Sequence, residues 1–182
     1  MSTTTNINTE DQLFPVPVMT PSQRPEPEQV YPAVAREVAK SLVKWSGWPN
    51  STDIDELAEE IASAMEDTYG DLDGYALAKV LEREHYWTIR SEFVEELDCD
   101  HQVSQKLRAL WVEWVKTNNI QPGFNVGDTV TVKPRGKAVE GTVQDLRPDG
   151  TCAVKVAGES GAYIIKWEDV VFGGKVEIST TA

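Results

Sequence analysis

Cysteine is the first thing this chain has little of: Cys99 and Cys152 are its only two in 182 residues. Their separation excludes a CxxC pair and a disulfide framework, and points to a reducing compartment. Long apolar runs are missing too. None approaches the roughly 20 residues that span a bilayer. Met1-Ser-Thr-Thr-Thr-Asn has neither the basic start nor the apolar core of a secretory signal. A cytoplasmic protein without membrane contact is expected.

Catalytic and metal-binding patterns are equally sparse. There are two histidines, and Cys99-Asp100-His101 holds one of them. Near-adjacent residues do not converge readily on one ion, and His85 and Cys152 belong to other elements, so no metal is expected. A Cys–His catalytic pair would need an orienting group and an oxyanion pocket; a helix start capped by Asp100 accounts for the segment. Asp71-Leu72-Asp73-Gly74 fails as a calcium loop, because Tyr69 and Val80 would fall where Asp and Glu are needed. A turn ending in a helix cap suffices. With no glycine-rich phosphate loop, nucleophile elbow or His-Glu metal helix, neither enzyme activity nor a cofactor is expected.

Positive charge is also short. Lys and Arg number 17 against 30 Asp and Glu, a net charge of −13. Residues 1–31 carry one positive and four negative charges, residues 32–121 nine and eighteen, and residues 122–182 seven and eight. The acidity therefore belongs to the middle segment. Such a field repels phosphate backbones and attracts basic partners.

What is present divides the chain in three. Residues 1–31 form a proline-rich, largely extended or disordered tail, since proline fixes φ and removes a donor. Within it Leu13-Phe14-Pro-Val-Pro-Val-Met19 is apolar, either a strap on the protein's own surface or a docking motif led by Phe14.

Residues 32–120 read as an acidic bundle of about five helices. Val34, Val38, Leu42 and Trp45 make one stripe of a helix that Pro32 opens and Gly47 and Pro49 stop. Thr52 is the expected cap of a second, with Ile54, Leu57, Ile61 and Met65 inward. Its outer face carries Glu56, Glu59, Glu60, Glu66 and Asp67, whose mutual repulsion costs a few tenths of a kcal/mol per pair. A third helix follows Asp73, with Tyr75, Ala78, Val80 and Leu81 inward. His85–Ile89 is expected to be extended, and Ser91 to cap a short helix with Phe93 and Leu97 inward. The last helix, 101–118, has a face too broad for one neighbour: Val103, Leu107, Leu110 and Trp114, widened by Trp111 and Val115.

From Gln121 the apolar period changes from 3.6 to 2. Strands are expected around Val126–Val132, Val139–Leu146, Cys152–Val156 and Tyr163–Trp167, with a last one at Lys175–Ile178. Arg147-Pro-Asp-Gly150 fits a type I turn. Gly127-Asp-x-Val-x-Val, Gly141-Thr-Val, Asp149-Gly, Val154-x-Val and Trp167-Glu-Asp-Val together resemble the SH3-like small β-barrels, KOW and Tudor-like modules included. The resemblance covers residues 124–172 and implies an α+β protein ending in a barrel over 121–178. It leaves function open, because that barrel serves nucleic-acid, peptide and structural roles.

Three functions follow as expectations. The first is a non-enzymatic interaction factor whose Glu56, Glu59, Glu60, Glu66 and Asp67 engage a basic partner surface, such as that of a nucleic-acid-binding protein. One form would be a phage or mobile-element inhibitor acting as a DNA mimic. The second is nucleic-acid binding by the turn Lys133-Pro-Arg135-Gly-Lys137, three cations in five residues, although no aromatic is interleaved with them for stacking. The third is a structural subunit of an assembly, docked through Phe14.

Overall fold

Tyr31, Val34, Val38 and Leu42 recur at one-turn intervals, and in the computed structural model they are buried along helix α1, Tyr31–Leu42. The structure describes residues 24–45, 53–68 and 70–172. Phe14 and its apolar strap, Thr52, the stop at Gly47 and Pro49, and the strand expected at Lys175–Ile178 lie outside these residues.

Four more helices follow: α2 (Ile54–Asp67), α3 (Gly74–Glu84), α4 (Ser91–Leu97) and α5 (Asp100–Thr117). The sheet comprises β1 (Thr129–Val132), β2 (Val139–Leu146), β3 (Thr151–Val156), β4 (Ala162–Lys166) and β5 (Val171–Phe172). The protein is thus a mixed one of helices and antiparallel sheet. The described residues form two compact units, one of residues 24–118 with Arg147–Gly150, the other of 119–146 and 151–172.

In the helical unit Leu42, Leu57, Ile61, Met65, Leu77, Leu81, Phe93 and Leu97 are almost fully enclosed. Each such side chain contributes about 1.5–3 kcal/mol on leaving water. Local reading errs where helix ends decide orientation. Tyr75, expected inward, is 62% exposed with the Lys79 ammonium 4.6 Å from its ring centre, and Leu77 takes the interior place. Trp45 lies beyond the end of α1 and is partly exposed, meeting Phe93 edge-on at 5.7 Å. His85–Ile89 forms no strand. Tyr86 takes a positive φ of 58° there and is exposed, while Trp87 turns inward. The side chains of Ser91 and Asp100 do not cap; Arg90 and Cys99 occupy the cap positions of α4 and α5.

Aspartates provide the caps that matter. Asp53 accepts from the Asp55 amide, and Asp73 accepts from the amides of Tyr75 and Ala76, both at 2.8 Å. The bond from Ala76 leads in holding the Asp73 carboxyl below its usual pKa. A depressed folded pKa means stability that is present above the unfolded value near 4 and lost as pH falls through the folded one. Asp73→Asn keeps the cap but removes the titration. Its melting temperature is expected to depend less on pH than the wild type's between about pH 5 and 2, and parallel curves would refute this.

The sheet runs β4-β3-β2-β1-β5, antiparallel throughout. Alternation puts Val130, Val132, Val143, Cys152 and Val154 in its interior. Trp167 opens a one-turn 3-10 helix, Trp167–Asp169, and donates its indole N–H to the Thr151 carbonyl at 2.8 Å. Val126 precedes β1 and is 57% exposed rather than part of the strand. Val171–Phe172 pairs with β1, a strand that so short an apolar run does not announce.

Candidate functional site

Helix α2 leaves Glu56, Glu59, Glu66 and Asp67 exposed. At 100° per residue these positions fall within one arc of its circumference, opposite Leu57, Ile61 and Met65. Among the described residues none of the four forms an ion pair. Of the cations of α1, Arg36 pairs with Asp55. Glu37 is engaged by Lys106 at 2.9 Å. The Glu66 charge is felt locally. Burial first, then Glu28 and Cys99, and last Glu66 push the Tyr31 hydroxyl above its ordinary pKa.

Glu60 behaves differently from its neighbours. It is half-buried, and its Oε2 accepts the Trp87 indole N–H at 2.5 Å. A carboxylate so engaged holds the Tyr86–Trp87 crossing in place and is poorly disposed toward an external partner. Its bond to a side chain 27 positions away has no signature in the α2 pattern.

A groove of about 580 Å³ runs between α1 and α2, lined by Pro32, Ala58 and Ala62, with Glu59, Ser63 and Glu66 and the Arg36–Asp55 ion pair beside them. The arrangement offers apolar surface flanked by carboxylates and by one arginine that is already paired with Asp55.

The cationic turn lies in the sheet unit. Lys133, Arg135 and Lys137 are exposed on the β1–β2 connection. Lys133 lines one concavity, with Ile164, Lys166 and Val171. Arg135 and Lys137 line another, with Tyr163. The aromatic that the sequence did not interleave with these cations is thus supplied by β4.

One constellation was not anticipated at all. Arg24, in the expected tail, is 3% exposed in the helical unit. Its guanidinium lies 4.7 Å from the ring centre of Trp111 and 5.2 Å from that of Trp114. It donates to the carbonyl oxygens of Asp149 at 3.0 Å and Gly150 at 2.7 Å. Trp111 in turn donates to the Pro25 carbonyl at 2.8 Å. The breadth of the α5 face is thereby accounted for. It carries the Arg24 segment and the Arg147–Gly150 turn, with the half-exposed tryptophans acting as stacking surfaces.

Neither thiol is poised for chemistry. Burial, with Asp98 and Asp100 adding to it, pushes Cys99 up to about 11, and burial alone does the same for Cys152. Cys99 is enclosed, its thiol 3.9 Å from the Leu72 carbonyl, whereas exposed His101 bonds to Gln105. Among the described residues no three His, Cys, Asp or Glu side chains converge on a metal position. No described helix is long and apolar enough to cross a membrane.

These features define a mixed helix-and-sheet protein with an acidic helix face and a separate cationic turn. The chain matches no protein-family model, no curated protein and no solved structure.

Proposed function

We propose that this chain is a non-enzymatic interaction protein whose α2 face binds a basic surface on a partner protein. The observation that carries this reading is the exposed, unpaired arc of Glu56, Glu59, Glu66 and Asp67 beside the groove between α1 and α2. Four like charges that form no ion pair among the described residues repel one another, a cost that a basic partner would offset. Electrostatic complementarity of this kind speeds association and selects partners more than it adds raw affinity. Such a row of carboxylates presents a series of negative charges, as a phosphate backbone does, so a nucleic-acid-binding protein fits as the partner.

We read the sheet unit as an SH3-like small barrel. Supporting this are the β1-to-β4 meander, the single 3-10 turn after it, and the return of β5 to the far side of β1. A role for the sheet as companion rather than main contact is consistent with its near-neutral charge.

Reversal of Glu56, Glu59 and Glu66 to Lys tests the reading. Glu60 is left alone, because its bond to Trp87 makes it part of the fold. Partners captured from host lysate and identified by mass spectrometry should be basic, bind less as salt rises, and be weakened at least about tenfold by the triple variant. Circular dichroism should show the helices intact. Undiminished capture by the triple variant would end the proposal.

A further inference from the structure

The β1–β2 connection concentrates charge of the minority sign. In a chain with 30 carboxylates, none of Lys133, Arg135 and Lys137 forms an ion pair among the described residues. Its backbone is also unusual. Pro134–Gly136 is a tight, non-helical turn in which Arg135 has φ 54° and Gly136 φ 80°. A left-handed conformation costs a residue bearing a Cβ about 1–2 kcal/mol, and glycine at that position would avoid the cost. Folding alone therefore does not explain an arginine there.

Arg135 and Lys137 share a concavity of about 260 Å³ with half-buried Val139, Val156 and Tyr163 and with exposed Glu159. The loop carrying Glu159 is tied down, because the Lys155 ammonium donates to the Glu159 carbonyl at 2.6 Å and to the Gly161 carbonyl at 3.3 Å. The volume lies below the roughly 300–1,000 Å³ of drug-sized sites, which suits one planar ring with its attached charge. Half-buried Tyr163, Pro134, two valines, two cations without ion pairs and one carboxylate specify that ring's chemistry. It is flat and apolar on its faces, bears anionic groups, and carries an amino group on its edge.

We propose that this concavity binds single-stranded nucleic acid, with one base against Tyr163 and the flanking phosphates on Arg135 and Lys137. Base–aromatic stacking is the usual source of single-strand affinity. The guanidinium forks onto phosphate oxygens while the ammonium acts as a point charge. The Glu159 carboxylate accepts from an exocyclic amino group, which favours cytosine. A duplex is excluded, since its bases are stacked and paired and do not reach Tyr163. This inference is independent of the acidic α2 face.

Fluorescence anisotropy with labelled cytosine and uracil oligonucleotides of about eight residues, RNA and DNA, tests it on the full chain. Binding at low salt is expected, tighter for cytosine, with duplex much weaker. Tyr163→Ala should weaken binding about tenfold, and Tyr163→Phe should retain it. Lys137→Ala should make the log–log salt dependence shallower by about 0.7, the value for one single-strand phosphate. Arg135→Gly relieves the backbone and should melt no lower than wild type while still binding less, which separates lost contact from lost fold. Glu159→Gln should erase the cytosine preference. The proposal is overturned by an absence of binding at low salt, by binding indifferent to both Tyr163→Ala and Arg135→Gly, or by equal affinity for duplex. Cytidine monophosphate binding as tightly as the strand would reassign the site to free nucleotides and also overturn it.

Discussion

Gly74→Ala is expected to unfold the helical unit, with a loss of at least about 4 kcal/mol, beyond the range of ordinary substitutions. At the first position of a helix, alanine would normally be preferred to glycine by up to about 1 kcal/mol. Here a Cβ would stand 1.8 Å from the Val94 carbonyl oxygen and 2.8 Å from its carbon. Both atoms are backbone, in the middle of α4, so no rotamer change relieves the overlap. Either α3 and α4 separate or α3 loses its Asp73 cap, and each outcome opens the core around Leu77, Phe93 and Leu97. Stabilities of whole domains are only about 5–15 kcal/mol, so the variant's urea transition, followed by circular dichroism at 222 nm, should move to much lower urea or disappear. Gly70→Ala is the comparison. That site has a φ of 92° but open space around it, and strain of about 1–2 kcal/mol is expected. Equal transitions for Gly74→Ala and wild type would show that α3 and α4 do not approach as described.

Arg24→Ala should be the second most damaging change, by about 3–5 kcal/mol. Hydrogen bonds from a charged donor contribute about 1.5–3 kcal/mol, and a desolvated cation over an aromatic ring up to about 2. The guanidinium makes two of the former and lies over two rings. Arg24→Lys should recover little, because an ammonium lacks the planar fork that stacks and bonds at once. Tryptophan emission should shift to the red as Trp111 and Trp114 lose their cover.

Gly150 makes the test sharper. Its φ is 76°, and a Cβ there would lie 2.6 Å from the Arg24 guanidinium nitrogen and 3.0 Å from a Val115 methyl. Gly150→Ala should therefore cost more with Arg24 present than in the Arg24→Ala background. The coupling should exceed about 0.5 kcal/mol in urea unfolding. Additive losses would mean that the two residues do not meet.

The helices and strands were largely legible because their signals are local. The spacing of Val34, Val38 and Leu42, the Asp73 cap and the alternation from Val139 to Leu146 each act over a few residues. Reading failed at ends and crossings. Tyr75 follows a cap whose geometry turns it outward, and Val126 comes before the ladder begins. The candidate sites were only half legible. The acidic arc follows from helical period alone, but the removal of Glu60 from it depends on Trp87 coming inward from another segment. The three cations are contiguous in sequence, whereas Tyr163 joins Arg135 and Lys137 through strand pairing across the sheet.

Composition and periodicity by themselves determined the concentration of acid in the middle segment, the amphipathic faces, and the change from helix to strand near Gln121. These are properties of short windows, set by side-chain transfer to a core and by backbone preference. Only the tertiary structure decided that Arg24 is buried between tryptophans, that Gly74 has no room for a methyl group, and that Arg135 has an aromatic neighbour. Each joins residues far apart in sequence, and close packing permits such contacts only once the whole unit is assembled.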